Sequence, residues 1–309
     1  MVTTSTAQPQ QGPKPRRRGG QIPKWFHLIT GGLSSLVPGV AARLFAFLFT
    51  RPPRHKLPKH ERAWLLQATA TPVKLASGEV VPLYQWRGSP APFGVRDEAP
   101  LPTVLLVHGF GSRAGQLGSF AAPLVAAGYR VVAFDAPAHG AAAGRRSSLP
   151  EMLEVTQDIA ARLGPLAGVV AHSNGAAAVI AALAGGMQAD RVALLAPMPD
   201  LESFILRLAA TLGFSAKVAK RAQKRVEARY GVPFSALKAQ NLTGSLSQPV
   251  LILQDSKDRT VPLAEVEELA RNWPTADLQI STGLGHNRLL RDAASIDRVV
   301  AHMGDPTQR

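Results

Sequence analysis

The chain has 309 residues, 46% of them hydrophobic, which is enough apolar material for one large domain with an appended segment or two. It contains no cysteine, which excludes a disulfide framework, a thiolate metal site and a thiol nucleophile. The formal net charge is +14: residues 1–63 contribute +10, residues 199–247 contribute +5, and the rest of the chain contributes −1. The basic charge therefore belongs to two appendages, and we expect no nucleic-acid partner.

The N-terminal part of the chain divides into a polar tail and an apolar stretch. Residues 1–21 are rich in Pro, Gly and Gln, and they are predicted to be a disordered basic tail. The following apolar stretch is interrupted by Pro38 and Arg43, so it falls short of the roughly 20 apolar residues that a membrane span needs. Residues 22–71 are therefore predicted to form amphipathic helices, packed on the domain or lying on a membrane surface. A membrane anchor and an export signal are the alternatives.

From about residue 72, short β-type runs alternate with helix-length runs, a pattern typical of a mostly parallel sheet with crossover helices. Eight strands are predicted, at Val73–Leu75, Val80–Trp86, Thr103–Val107, Arg130–Phe134, Gly168–Ala171, Val192–Leu195, Pro249–Gln254 and Asp277–Ser281. Helices are predicted at Gln116–Ala127, Leu149–Leu163, Ala176–Gly185, Leu263–Asn272 and Ile296–Met303. Residues 72–309 are thus predicted to form one α/β domain.

Residues 199–247 interrupt this alternation. They are helical in periodicity and rich in Lys and Arg, and we predict a helical lid inserted between two strands. Five of the basic residues are expected to form one solvated helix face: Lys217, Lys220, Arg221, Lys224 and Arg225. The eight histidines of the chain show no metal-ligand spacing, so neither a metal nor another cofactor is expected.

The segment Val169–Ala176 runs from an apolar strand through Ser173 into an Ala-rich helix. This is the pattern of a nucleophile elbow, the tight strand-to-helix turn that exposes a catalytic serine and requires small residues two positions before and after it. Ala171 and Gly175 occupy those positions. The turn would place Ser173 at a helix N-terminus, although a serine that merely caps the helix would leave the same local pattern.

Three further segments carry residues that fit the same chemistry. His108-Gly109-Phe110-Gly111 ends a strand, and the backbone N–H of Phe110 would form an oxyanion hole with that of Asn174. Asp258 begins a D-x-x-V-P loop after another strand and is the preferred acid, with Asp255 as the fallback. His286 follows the last strand between glycine and asparagine, and it is the predicted base.

These motifs resemble those of the α/β-hydrolase fold serine hydrolases over about residues 72–304. In that family the order along the chain is serine, acid, histidine, and Ser173, Asp258 and His286 follow it. The chain also resembles a subgroup with Asp135-Ala-Pro-Ala-His139-Gly140 after the fourth strand. The resemblance implies the α/β-hydrolase fold, with a mostly parallel eight-stranded sheet flanked by helices, the helical lid and the N-terminal helical extension.

The other histidines are assigned lesser roles. His108 is expected to brace its loop and His172 to pack beside the serine. His139 is interpreted as loop architecture, with a substrate contact as the alternative. His302 in the terminal helix is the rival base.

The predicted function is hydrolysis of a carboxylic ester or thioester through an acyl-enzyme on Ser173, with a small-molecule acyl substrate. An acyltransferase or a carbon–carbon bond hydrolase would use the same triad, and a non-catalytic binding module would use the same fold. The basic helices around the site are expected to favour anionic or lipid-like substrates. We expect a cytoplasmic protein, with peripheral membrane contact through residues 22–63 as a possibility.

Overall fold

The computed structural model describes residues 22–86 and 101–305, so the predicted tail at residues 1–21 lies outside the described residues. Eight strands form one sheet: β1 (Thr69–Lys74), β2 (Val80–Trp86), β3 (Thr103–Val107), β4 (Arg130–Phe134), β5 (Gly168–His172), β6 (Val192–Leu195), β7 (Val250–Asp255) and β8 (Ala276–Ser281). Their order is β1-β2-β4-β3-β5-β6-β7-β8. The β1–β2 and β2–β4 pairs are antiparallel and the other pairs are parallel. The predicted mostly parallel, eight-stranded sheet is confirmed.

Helices surround the sheet, and three of them precede its first strand in the chain. They are α1 (Lys24–Leu36), α2 (Pro38–Phe49), α3 (Lys59–Leu65), α4 (Ala121–Ala126), α5 (Leu149–Leu163), α6 (Asn174–Ala184), α7 (Leu201–Thr211), α8 (Ala216–Tyr230), α9 (Leu263–Arg271), α10 (Gly285–Arg288) and α11 (Ala293–Met303). The segment predicted as a lid contains α7, α8 and three short 3₁₀ turns, and it lies between β6 and β7.

The central strands are buried on both faces because helices cover both sides of the sheet. Every residue of β3, β5, β6 and β7 is buried. Along β5, Val169 and Ala171 join one hydrophobic core and Val170 joins the other. The first core includes residues of α2, α5, α6 and α8, and the second includes residues of α4 and α11. These continuous apolar runs explain why the central strands could be predicted closely.

The first strand begins earlier than predicted, at Thr69 instead of Val73. It lies at the edge of the sheet and pairs with β2 over its whole length. Of its six residues only Val73 is buried, so neither an apolar run nor an alternating pattern marks its start.

The predicted helix at Gln116–Ala127 is wrong in its first half. A 3₁₀ helix covers Ala114–Phe120 and the α-helix begins only at Ala121. Here the backbone passes so close to α3 that a Cβ on Gly118 would lie 2.7 Å from the Cβ of Trp64. This contact between distant segments cannot be read from local periodicity.

The three N-terminal helices pack on the rest of the chain. The hydroxyl of Thr30 in α1 donates to the carbonyl oxygen of Leu212 at 2.8 Å, and the ring of Phe45 in α2 lies 5.1 Å from that of Phe214. Beyond α2, the Arg54 guanidinium donates to the carbonyl oxygen of Ala142 at 2.9 Å. Within residues 22–86 and 101–305, no helix combines the length and the apolar character that crossing a membrane requires.

Candidate active site

Ser173 occupies the turn between β5 and α6 in a backbone conformation that is rare for a residue with a side chain. Its φ is 54° and its ψ is −120°. Such a turn needs small neighbours: a Cβ on Gly175 would lie 2.3 Å from the carbonyl oxygen of His108, whereas the Ala171 side chain is accommodated in the buried strand. The turn therefore has the geometry of a nucleophile elbow.

His286 joins the serine to an acid across three separate segments of the chain. Its Nε2 atom lies 3.0 Å from the Oγ atom of Ser173, and its Nδ1 atom lies 2.7 Å from the Oδ2 atom of Asp258. The Asp258 side chain has no exposed surface and that of His286 is 13% exposed. All three residues predicted from the sequence thus come together in one hydrogen-bonded row.

The surroundings of Asp258 favour its ionised form. Burial alone would raise the pKa of this carboxyl, but hydrogen bonding and charge from His286 outweigh it, and the net pKa is lowered. Its Oδ1 atom also accepts hydrogen bonds from the backbone N–H groups of Thr260 at 2.7 Å and Val261 at 3.1 Å. An ionised acceptor at Oδ2 places the imidazole proton on Nδ1, which leaves the lone pair of Nε2 facing the serine.

Asp255, the fallback acid, has a different set of partners. Its carboxylate accepts hydrogen bonds from the hydroxyl of Ser281 at 2.8 Å and from the backbone N–H of Leu284 at 2.8 Å. It also accepts the N–H groups of Lys257 at 2.9 Å and Gly283 at 3.2 Å. Burial would raise the pKa of Asp255, but hydrogen bonds from the backbone N–H groups of Gly285, Leu284 and Lys257 and from the Ser281 hydroxyl lower it to about 2. Asp255 therefore holds the loop that leads into His286.

The loop after β3 lies against the elbow. A Cβ on Gly109 would be 3.0 Å from the Cβ of Ser173, so glycine allows the close approach of the two segments. Phe110 and Asn174, whose N–H groups are the predicted oxyanion donors, both line the cavity that contains Ser173. The side chain of Asn174 is directed elsewhere, with its Nδ2 atom 3.0 Å from the Sδ atom of Met152.

His108 braces this loop, as predicted. Its Nδ1 atom lies 2.8 Å from the carbonyl oxygen of Gly109, and its Nε2 atom accepts the backbone N–H of Ala136 at 3.0 Å. This pair of contacts requires the neutral imidazole with its proton on Nδ1. Burial agrees with that state, because it lowers the pKa of His108 to about 4.

Three further histidines, His139, His172 and His302, also occupy structural positions. The Nε2 atom of His172 lies 3.1 Å from the backbone oxygen of His286, and the two rings are 4.7 Å apart, so His172 supports His286. His139 is buried against the ring of Phe110 and is absent from the described lining of the cavity. His302 lies in α11 and likewise lines no part of that cavity as described.

A cavity of about 470 Å³ opens on Ser173 and His286. Its walls are largely apolar and come from four parts of the chain: Leu48, Phe49, Leu149, Met198, Leu201, Phe204, Leu208 and Leu212. Arg51, His55, Gln116, Thr260 and Asn287 add polar groups. A volume of this size suits a small organic ligand.

The sequence did not identify the residues that shape this cavity. Leu48 and Phe49 belong to α2, Arg51 follows that helix, and Phe204 and Leu208 belong to α7. In α2 and α7, apolar residues at helical spacing indicate that each helix packs against an apolar surface, but they do not identify that surface. The structure shows that these two helix faces meet beside the serine, because the rings of Phe49 and Phe204 pack together with their centroids 6.3 Å apart.

Comparisons with known proteins agree with this fold. Residues 98–237 match a family model described as serine aminopeptidase, S33, of the Hydrolase_4 group. A search of curated proteins found no match.

Solved structures resemble the chain over most of its length. An esterase from Pyrococcus furiosus is 17% identical with a TM-score of 0.59, and the match covers 82% of this chain and 97% of the esterase. A membrane phospholipase A, described as a bacterial virulence factor, is 17% identical with a TM-score of 0.57. The match covers 91% of this chain and 96% of the phospholipase. The thioesterase domain of the curacin biosynthetic pathway is 17% identical, with a TM-score of 0.54, over 76% of this chain and 98% of its own. With the eight-stranded sheet, these matches show that the chain has the α/β-hydrolase fold.

Proposed function

We propose that the chain hydrolyses a carboxylic ester or thioester with an apolar acyl group, through an acyl-enzyme on Ser173. The observation that carries this proposal is the row Ser173 Oγ, His286 Nε2, His286 Nδ1 and Asp258 Oδ2, with contacts of 3.0 and 2.7 Å, at an apolar cavity. Esterases, a thioesterase and a phospholipase among the solved structures of the same fold support the reaction class.

The first step transfers the serine proton. His286 Nε2 accepts the proton as Ser173 Oγ attacks the carbonyl carbon, and ionised Asp258 stabilises the imidazolium that forms. The same imidazolium then returns its proton to the leaving alcohol or thiol as the carbonyl bond to it breaks. A water molecule, deprotonated by His286, releases the acid from Ser173 in the second half of the reaction.

The developing oxyanion requires donors that are already in place. The backbone N–H groups of Phe110 and Asn174 are the proposed donors, since both residues line the cavity beside Ser173. The position of Asn174 at the first turn of α6 adds the positive end of a helix dipole.

The lining of the cavity favours an acyl ester over a peptide N-terminus. A free amino group would need a carboxylate partner, and among the described residues that line the cavity there is no aspartate or glutamate. Arg51 provides a cationic group instead, beside the apolar side chains of Leu48 and Phe49. Both features suit an apolar acyl group attached to a neutral or anionic leaving group.

A panel of p-nitrophenyl esters with short to long acyl chains tests the proposal. The wild type should hydrolyse the panel and react covalently with a fluorophosphonate, whereas Ser173→Ala should do neither because it lacks the attacking oxygen. Equal labelling of both proteins would remove Ser173 from the mechanism. Consumption of ester without release of free acid, when an alcohol is supplied, would indicate acyl transfer.

A further inference from the structure

Exposed apolar side chains are concentrated on the two N-terminal helices. Among the described residues, thirteen large hydrophobic side chains are exposed, and nine of them lie in α1, in α2 or at Val37 between them. They are Trp25, Leu28, Ile29, Leu36, Val37, Val40, Leu44, Phe47 and Leu48. Leu28 is 77% and Leu36 is 83% exposed. Apolar patches of this kind mark interaction sites on soluble domains.

Helix α2 is apolar on both of its sides. Its inner side buries Ala41, Ala42, Phe45 and Phe49 in the core. Val40, Leu44, Phe47 and Leu48 are exposed and follow one another at helical spacing. A helix that only packs on a domain normally presents polar residues to water on its outer side. The outer side of α2 therefore fits a second apolar environment.

Arginine and lysine side chains flank this outer side. Helix α8 packs beside α2, and a shallow groove between them is lined by Arg43, Phe47, Arg146, Arg225 and Arg229. A second groove next to it is lined by Gly39 of α2 and by Arg221, Lys224 and Arg225 of α8. In the described parts of the chain, none of these basic residues forms an ion pair with an acid.

We propose that the outer sides of α1 and α2, together with the arginine groove beside α2, dock the protein on an anionic phospholipid membrane. Helices that lie in a membrane interface combine tryptophan, phenylalanine and leucine on one side with flanking lysine and arginine. The apolar side chains would enter the boundary of the acyl chains, and the four arginines of the groove would neutralise lipid phosphates. Charge complementarity thus selects an anionic bilayer as the partner.

The surface is continuous with the cavity at Ser173. Leu48 is exposed on the outer side of α2 and also lines the cavity, and Arg51 follows it at the end of the helix. Docking through α2 would therefore bring the cavity close to the lipid. The membrane proposal itself does not depend on the proposed hydrolysis, and Ser173→Ala should bind vesicles as well as the wild type.

Co-sedimentation of the full-length chain with vesicles tests the docking. The wild type should bind vesicles that contain phosphatidylglycerol in phosphatidylcholine, bind vesicles of phosphatidylcholine alone much more weakly, and lose affinity as salt screens the charges. Substitutions are preferable to deletion of the N-terminal helices, because Phe45 and Ala41 are fully buried.

The apolar part of the surface is tested with Leu28→Ser combined with Leu36→Ser. Both side chains are mostly exposed, so the variant should fold, which its thermal unfolding checks. Binding to anionic vesicles should fall at least tenfold, because two leucines no longer enter the apolar boundary of the acyl chains. The matched control is Leu66→Ser with Val80→Ser, two exposed apolar residues outside α1 and α2, which should leave binding unchanged.

The basic part is tested with Arg225→Ser combined with Arg229→Ser. Binding should weaken about fivefold per arginine, since each basic residue near an anionic surface contributes about 1 kcal/mol. The control pair Arg271→Ser with Arg298→Ser removes the same charge from α9 and α11 and should bind as the wild type does.

Two outcomes would overturn the proposal. If both surface variants bind vesicles like the wild type, the basic tail and not the helices is responsible for any binding. If the protein does not bind vesicles and instead forms a dimer that Leu28→Ser with Leu36→Ser dissociates, the surface is an interface between two copies of the chain.

Discussion

At Gly175, the elbow has no space for a side chain. Its missing Cβ would meet the backbone oxygens of His108 at 2.3 Å and Val107 at 2.7 Å, and neither carbonyl can move without disturbing the end of β3. The strained backbone of Ser173 is thus held in place by the strand beside it. The requirement for glycine at this position follows from contact with backbone atoms.

Gly175→Ala should therefore lower the free energy of unfolding by about 3 kcal/mol, the upper end of the usual cost of overpacking. Urea denaturation at pH 7 measures the change. Gly244→Ala is the matched control, because a Cβ there meets nothing within 4 Å. Equal stability of the two variants would contradict the close contact with β3.

The two aspartates at the C-terminal end of β7, Asp255 and Asp258, should respond differently to replacement by asparagine. Asp258→Asn should reduce kcat by about 10⁴-fold with little loss of stability, because an amide at Oδ2 reverses the imidazole tautomer. Asp255→Asn should lower the free energy of unfolding by about 1–3 kcal/mol, because its N–H₂ group would face the N–H of Leu284. Ester hydrolysis and urea denaturation of both variants separate the roles, and full activity of Asp258→Asn would exclude it as the acid.

The preference for Asp258 over Asp255 came from a motif that is local in sequence. In D-x-x-V-P the backbone N–H groups of Thr260 and Val261 donate hydrogen bonds to the Asp258 carboxylate, so the residues that hold this carboxylate all lie within the motif. The role of Asp255 could not be predicted, since its partners Ser281, Gly283 and Leu284 lie on the next strand and loop.

At the scale of elements, α7 forms a wall of the cavity on one side and joins the core on the other. Leu206 and Leu208 both pack against the hydrophobic core, but of the two only Leu208 also lines the cavity as described. Both are half-buried leucines, so the contact of Leu208 with the cavity is what distinguishes them.

Leu208→Phe should shift the acyl-chain preference of the enzyme towards short chains. The larger ring takes space from the cavity, so kcat/KM for the longest p-nitrophenyl ester should fall about tenfold while that for acetate changes little. The control is Leu206→Phe, which adds the same volume away from the cavity and should leave the preference unaltered. An unaltered profile in Leu208→Phe would mean that the acyl group does not lie along α7.

Strands could be predicted from the sequence where burial on both faces of the sheet gives them a continuous apolar run. β3 and β5–β7 were predictable because the sheet buries them on both faces, and β1 was missed at its start because its edge position leaves Thr69–Pro72 exposed. The 3₁₀ helix at Ala114–Phe120 depends on Trp64, about fifty residues away. Packing between distant segments also decides the walls of the cavity.

At the scale of the whole molecule, three buried histidines link stability to pH. Burial lowers the pKa of His108 to about 4 and those of His139 and His172 to about 3. In the unfolded chain each would titrate near 6.5. Below that pH the unfolded chain binds protons that the folded protein does not, so acid favours unfolding.

The free energy of unfolding should therefore be highest above pH 6.5 and decline towards pH 4. Each of the three histidines adds a slope of up to about 1.4 kcal/mol per pH unit in that window. Urea denaturation at pH 7.5, 6.0 and 5.0 measures the decline. The same free energy of unfolding at all three values would mean that the imidazoles are protonated in the folded protein.

The contact between Phe45 and Phe214 also has a consequence for synthesis on the ribosome. The aromatic ring that covers Phe45 is translated about 170 residues after helix α2. At a typical 5–20 residues per second, the buried side of α2 waits for roughly ten to thirty seconds before Phe214 can cover Phe45. During that interval a chaperone or a lipid surface would compete for the nascent helix, and translation speed becomes a determinant of how much of the chain reaches its native state.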